Sequence, residues 1–220
     1  MYYHCLSKLT ILEIALFGIY LFLFTWIVTR TGFFRATGLS GKLLAILFLI
    51  RVISGMLYGW MGYYQDELVN LSDTWTHHRY SLEETRLLLS NPRSFFGQIF
   101  SIFYFDDPAR LFSSNHSNWN DLKWTSYDKL MAFFNCFSFG NYYINIIFYN
   151  FITFFGVVAV FRIFRDYLKT DNLILTLGCF LVPSFLFWSS GLHKDGLSFL
   201  AIALVLFHTY FGILKNGRSV

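Results

Sequence analysis

The sequence predicts an all-α protein: a polytopic membrane helix bundle of about five transmembrane helices with a partly helical outer loop. Three observations predict it. Hydrophobic residues make up 55% of the 220-residue chain and charged residues only 14%, against roughly 25% charged in a soluble domain. That is too little charge to cover a water-facing surface. Aromatic residues reach 22%, with 28 Phe and 14 Tyr, a composition suited to lipid-facing helices with aromatic belts near the headgroups. Finally, apolar runs approaching the ~20 residues needed to cross a bilayer recur along the chain.

The first run, 10–28, is broken only by Glu13 near one end. No small-residue cleavage site follows it, so it reads as a retained helix and not as a cleaved signal peptide. The second, 43–60, carries Arg51 inside it. The third is 141–161. The fourth, 173–188, is short but continuous, and the fifth is 197–214. Residues 1–220 read as one integral membrane domain, without internal repeats or a flexible linker.

Loop charges set the expected orientation. Arg30, Arg35 and Lys42 lie between the first two spans, Arg162, Arg165 and Lys169 between the third and fourth, and Lys215 and Arg218 after the fifth. These are alternate loops, and one orientation puts all three in the cytoplasm. The N-terminus, the long loop 61–140 and the short turn 189–196 then face outward, as in a bacterial inner-membrane protein. The net charge of +4 is therefore topological. No basic run with interleaved aromatics points to nucleic acid. Cys5, Cys136 and Cys179 are too scattered for a disulfide framework or a zinc site.

Within the long loop, Ser81 and Glu84 have capping-box spacing and predict a helix starting at 81 and ending before Pro92. Residues 94–105 read as an interfacial helix broken at Asp106, Asp107 and Pro108, and 126–137 as helix again. Asn70 and Asn115 each open a glycosylation sequon, a pattern common by chance.

Three places could hold chemistry. After the second span, a continuous helix would align Asp66, Asp73, His77 and Tyr80 on one face, at spacings of seven, four and three. A carboxylate beside an imidazole can act as a general base or hold a divalent metal; the plainer alternative is a solvated amphipathic helix. The second place is the turn His193, Lys194 and Asp195 between the last two spans. Gly191 and Gly196 allow a tight backbone path there, and Lys194 or His193 could clamp a phosphate. Alternatively the turn is simply polar, with Asp195 capping the last helix. Third, Arg51 sits mid-span, where insertion costs about 2.5–3.5 kcal/mol. It either partners an anionic lipid phosphate or an intramembrane carboxylate, or it snorkels to the surface. Asn141, Asn145 and Asn150 suit hydrogen bonding between helices. Asp106, Asp107 and His116 share the outer loop with the first group and could join it in a metal or sugar site.

The segments LVPSFLFWSSGLHKDGL at 181–197 and FGNYYINIIF at 139–148, with a long outer loop that opens on acidic residues, resemble GT-C glycosyltransferases and the related O-antigen polymerase-like envelope proteins. The resemblance implies a polyprenyl-phosphate-linked sugar as donor and transfer on the outer face. Asp73, with Asp66 second, would be the base or a metal ligand, and Lys194 would contact the donor phosphate. An extra span precedes the loop, and the family usually has eight or more spans, so the chain reads as a truncated member or part of a split system with membrane-protein partners. The alternative is a non-enzymatic transport or scaffold subunit.

Overall fold

The computed structural model describes residues 11–69, 72–101, 118–168 and 170–215. In chain order α1 is Ile11–Arg30, α2 Gly32–Arg35, α3 Gly41–Val69, α4 Asp73–Ser90, α5 Pro92–Ser101, α6 Asn118–Ser138 and α7 Tyr142–Leu168. Then come α8 at Asn172–Phe180, α9 at Pro183–Ser190 and α10 at Lys194–His208, which runs on as a π-helical stretch over Thr209–Lys215. The described residues contain no strand. Among the described residues four helices are long and apolar enough to cross a membrane, or five if the bent pair α8–α9 counts as one span. The protein is an all-α integral membrane bundle.

α7 is its axis. Of the apolar window in α7, 78% is buried, against 6% in α1 and in the final helix. Those two therefore line the outside, and α7 packs against α1, α3, α6, α8, α9 and α10. Aromatic rings fill the centre. Phe34 of the short α2 is fully buried among Phe151, Phe154 and Phe155. The chain can reverse after α2 because Gly38 takes a positive φ of 69°, open to glycine without a Cβ clash. Arg165 of α7 donates to the Thr37 carbonyl at this reversal.

At the other end α4, α5 and α6 form a cap. Two ion pairs set the register of α4 on α6: His77 Nδ1 to Asp128 Oδ1 at 2.9 Å, and Lys129 Nζ to Glu84 Oε2 at 2.6 Å. Lys129 also lies 4.1 Å from the centroid of the Phe95 ring on α5. Asn135 donates to Ser81 at 3.0 Å and accepts from Asn145 of α7 at 2.6 Å, which fastens the cap to the axis. Asn141 caps α7 by accepting from the Tyr143 and Ile144 amides, and donates to Glu13 of α1 at 3.1 Å. The Asn side chains of α7 thus make the interhelical bonds that their position in an apolar span predicts.

Four expectations need correction. The helix expected to start at Ser81 starts at Asp73, and Ser81 donates from inside it to the His78 carbonyl at 2.7 Å. The capping-box spacing is a local signal that the buried α4–α6 seam overrides. The continuous helix from Asp66 to Tyr80 is also interrupted: Asp66 belongs to α3, Ser72 is extended, and α4 begins afresh. Next, 173–188 is two helices bent by 49°. Pro183 disfavours helical geometry at the residue before it, and Val182 is extended with ψ 114°. Finally, α3 continues past Trp60 to Val69. The expected features at Asn70, 102–105, Asp106, Asp107, Pro108, Asn115 and His116 lie outside the described residues.

Candidate functional site at the turn between α9 and α10

The end of a helix leaves its last carbonyls without partners. Two such carbonyls of α9, Ser189 and Ser190, and two more in the turn that follows, Leu192 and His193, are taken by side chains from three other helices. Arg51 of α3 donates to the Ser189 carbonyl at 2.7 Å, and also to the Ser189 hydroxyl at 3.0 Å and to Thr153 of α7 at 3.1 Å. Asn150 donates to the Ser190 carbonyl at 2.8 Å. Thr74, in the first turn of α4, donates to the Leu192 carbonyl at 2.9 Å and bonds the Tyr142 hydroxyl at 2.7 Å. The Tyr149 hydroxyl donates to the His193 carbonyl. Tyr149 lies seven residues into α7, about 10 Å from its start, so the turn is recessed into the bundle.

Close approach makes these bonds reachable. On α3, Gly55, Gly59 and Gly62 share one face. A Cβ at Gly55 would meet Asn150 and the Ser190 carbonyl, one at Gly59 the Tyr142 ring, and one at Gly62 the side chains of Ser72 and Thr74. Gly191 lies against the Tyr58 ring, and a Cβ on Gly196 would meet the Ser189 carbonyl at 2.6 Å. Gly191 has an ordinary φ of −70°. It is glycine for its size, where the sequence suggested a special backbone path.

The expected site residues divide as follows. His193 sits at the cap position of α10, Lys194 and Asp195 in its first turn. His193 Nδ1 lies 3.1 Å from Asp195 Oδ2, an ion-pair distance without good hydrogen-bond alignment, and the Asp195 side chain is 58% exposed. The cap residue His193 makes no side-chain cap hydrogen bond, and Asp195 stands in the first turn, where a carboxylate suits the helix dipole. Burial lowers the His193 pKa from its ordinary value; Asp195 and, more weakly, Asp73 act against this. Asp73 is exposed at the start of α4, next to the Thr74 that grips Leu192, so Asp73 and the turn share one corner. Arg51 is 2% exposed. It does not snorkel; it forms the floor beneath the turn. Asp66 lies near the end of α3, and nothing is described of its side chain.

His77 stands one turn along α4 from Asp73, and its Asp128 partner is 51 residues away in sequence. Both side chains are 11% exposed. Burial raises the Asp128 pKa from its ordinary value, with the His77 hydrogen bond opposing. The neighbouring His78 faces inward between Trp75 and Tyr142, and burial pushes it down to about 4. Sequence reasoning missed Thr74, Asn150 and Tyr149 as grips on the turn, and missed Asp128. Polar residues at 149, 150 and 153 inside an apolar span were the available signal for the turn. Asp128 had none, because its pairing depends on how α6 docks.

Below the turn, α3 and α9 leave an apolar groove of about 530 Å³ lined by Ile50, Ile53, Leu57, Pro183, Leu186 and Phe187, with Ser54 and Ser184. Among the described residues no three His, Cys, Asp or Glu side chains are grouped to hold a metal ion. The chain matches no family model, and no curated protein or solved structure matches it.

Proposed function

We propose that the protein is a membrane transferase that uses a lipid-phosphate-linked sugar, on the extracytoplasmic side of a bacterial inner membrane, in envelope polysaccharide assembly. The observation that carries this reading is the meeting of two segments far apart in sequence. Thr74 and Leu192, 118 residues apart, are bonded, and this sets Asp73, the residue before Thr74, at the same corner as His193, Lys194 and Asp195. In the proposed transfer an acceptor hydroxyl attacks the anomeric carbon and gives its proton to Asp73. The bond from that carbon to the phosphate oxygen breaks, and the phosphate leaves with the electron pair, stabilised by Lys194 and His193. His77 on the same helix is the second candidate base. The α3–α9 groove would take the lipid tail. Among the described residues no three ligands are grouped, and no step is assigned to a metal. The orientation rests on Arg30, Arg35, Lys42, Arg162, Arg165 and Lys215, which all lie at the end opposite the turn.

A second reading, a non-enzymatic transport or scaffold subunit, is favoured by Arg51. Its hydrogen bonds go to protein acceptors, so it serves the fold whether or not the corner does chemistry. The test is binding of a polyprenyl phosphate to the purified protein. Saturable binding, weakened about tenfold or more by Lys194→Ala (~1.4 kcal/mol), together with loss of transfer but not of binding in Asp73→Asn, supports the transferase. A folded protein that binds no polyprenyl phosphate leaves the scaffold.

A further inference from the structure

The opposite end of the bundle carries a second feature, independent of the turn. Arg162 of α7 is half-buried and enclosed by three aromatic rings: its guanidinium carbon lies 4.9 Å from the centroid of Phe33, 4.6 Å from Phe207 and 5.6 Å from Phe211. The rings hold the cation. Among the described residues no carboxylate or carbonyl accepts from it. The nearby acids are committed. Asp166 takes Lys215 at 2.6 Å and Tyr210 at 3.0 Å. Asp171 accepts the Leu173 amide at 3.0 Å as the cap of α8. Arg165 is used on the Thr37 carbonyl. Arg30, Arg35 and Lys42 add further positive charge at this end.

A guanidinium carries five donors in a rigid plane and matches phosphate with two parallel bonds. Here it is fixed by apolar rings from the short α2 and from the last span, near the end of its own span, with surplus positive charge around it. Basic pockets between spanning helices at such a level bind anionic headgroups. We propose that Arg162, seated against Phe33, Phe207 and Phe211, binds the phosphate of an anionic phospholipid. Along α7, Arg162 is 13 residues from Tyr149, about 20 Å. This site is therefore separate from the turn and does not depend on the proposed transfer.

Native mass spectrometry of the full chain in detergent tests it, with phosphatidylglycerol and phosphatidylcholine of matched acyl chains. The wild type should retain phosphatidylglycerol preferentially. Arg162→Gln should reduce that retention several-fold, and Arg162→Lys, which keeps the charge and loses the fork, should fall between. Equal retention of the two lipids by the wild type, or undiminished phosphatidylglycerol on a folded Arg162→Gln protein, overturns the proposal. Displacement of the lipid by millimolar inorganic phosphate overturns the lipid assignment in favour of a free-anion site. Should Arg162→Gln not fold, a photoactivatable phosphatidylglycerol on the wild type decides. Crosslinks on peptides holding Phe33, Arg162, Phe207 or Phe211 support the site, and crosslinks confined to other segments refute it.

Discussion

Arg51 and His78 show how burial alone assigns roles to single residues. A charge in the middle of an apolar run is visible in sequence, and its cost predicts that something must compensate. What compensates was not legible: the acceptors lie on Thr153 and Ser189, more than a hundred residues downstream, and only the folded chain brings them to α3. His78 was not legible at all. Beside His77 it looks like one half of a polar pair, yet it faces the packed rings of Trp75 and Tyr142. Its pKa falls from 6.5 to about 4 on folding, so protonation favours the unfolded chain. The stability it contributes is complete above pH 6.5 and is lost as the pH falls towards 4, up to roughly 3 kcal/mol in the limit. His193, lowered in the same direction, adds to this slope. Asp128, whose pKa is raised, has the opposite sense: its contribution is present below its ordinary pKa of 3.8 and is lost as the pH rises through the raised value. Unfolding in detergent between pH 4 and 7 should show the acid-side loss. His78→Asn, which takes up no proton in that range, should flatten it whatever it costs in absolute stability; an unchanged slope would remove His78 as the source.

Among the elements, the spans were legible because a bilayer demands long apolar runs and little in a 220-residue chain imitates them. The ends of the helices were less so. Ser81 and Glu84 have the right spacing to start a helix, but spacing does not reveal that Ser81 would bond Asn135 across a buried seam. Pro183 did announce the break between α8 and α9, and the continuous hydropathy of 173–188 hid it. The glycines of α3 were plain in the sequence and went unread. They act together: Gly55, Gly59 and Gly62 bring the backbone of α3 close enough for α9, α7 and α4 to touch it. A bulky side chain there must displace packed neighbours, and overpacking costs about 1–3 kcal/mol or more. Gly59→Leu should therefore lower the unfolding temperature in detergent and weaken polyprenyl-phosphate binding with it. Gly18→Leu on α1, where an added Cβ meets nothing within 4 Å, should change neither.

At the scale of the whole molecule the two ends differ in charge and in construction. One is a cap tied down by ion pairs and amides, where acidic side chains offset the basic ones; the other, among the described residues, carries Arg30, Arg35, Lys42, Arg162, Arg165 and Lys215 with only Asp166 and Asp171 against them. This asymmetry yields a labelling prediction. In a background without Cys5, Cys136 and Cys179, a cysteine at exposed Asn91 in the cap should react with an impermeant maleimide on intact cells, and one at exposed Lys42 only after permeabilisation. The reverse pattern would invert the bundle and move the proposed chemistry to the cytoplasm. The bent pair has a further consequence, for the lipid around the protein. α8 and α9 contain nine and eight residues, about 26 Å of helix laid end to end, and their 49° bend shortens the reach further. The hydrocarbon core of a bilayer is about 30 Å thick. Counted as one span, the pair predicts that lipids beside it thin, or let their headgroups sink towards the α9–α10 turn, at a fraction of a kcal/mol for each ångström of mismatch. Bilayers of longer acyl chains should therefore strain this flank more than bilayers of shorter ones.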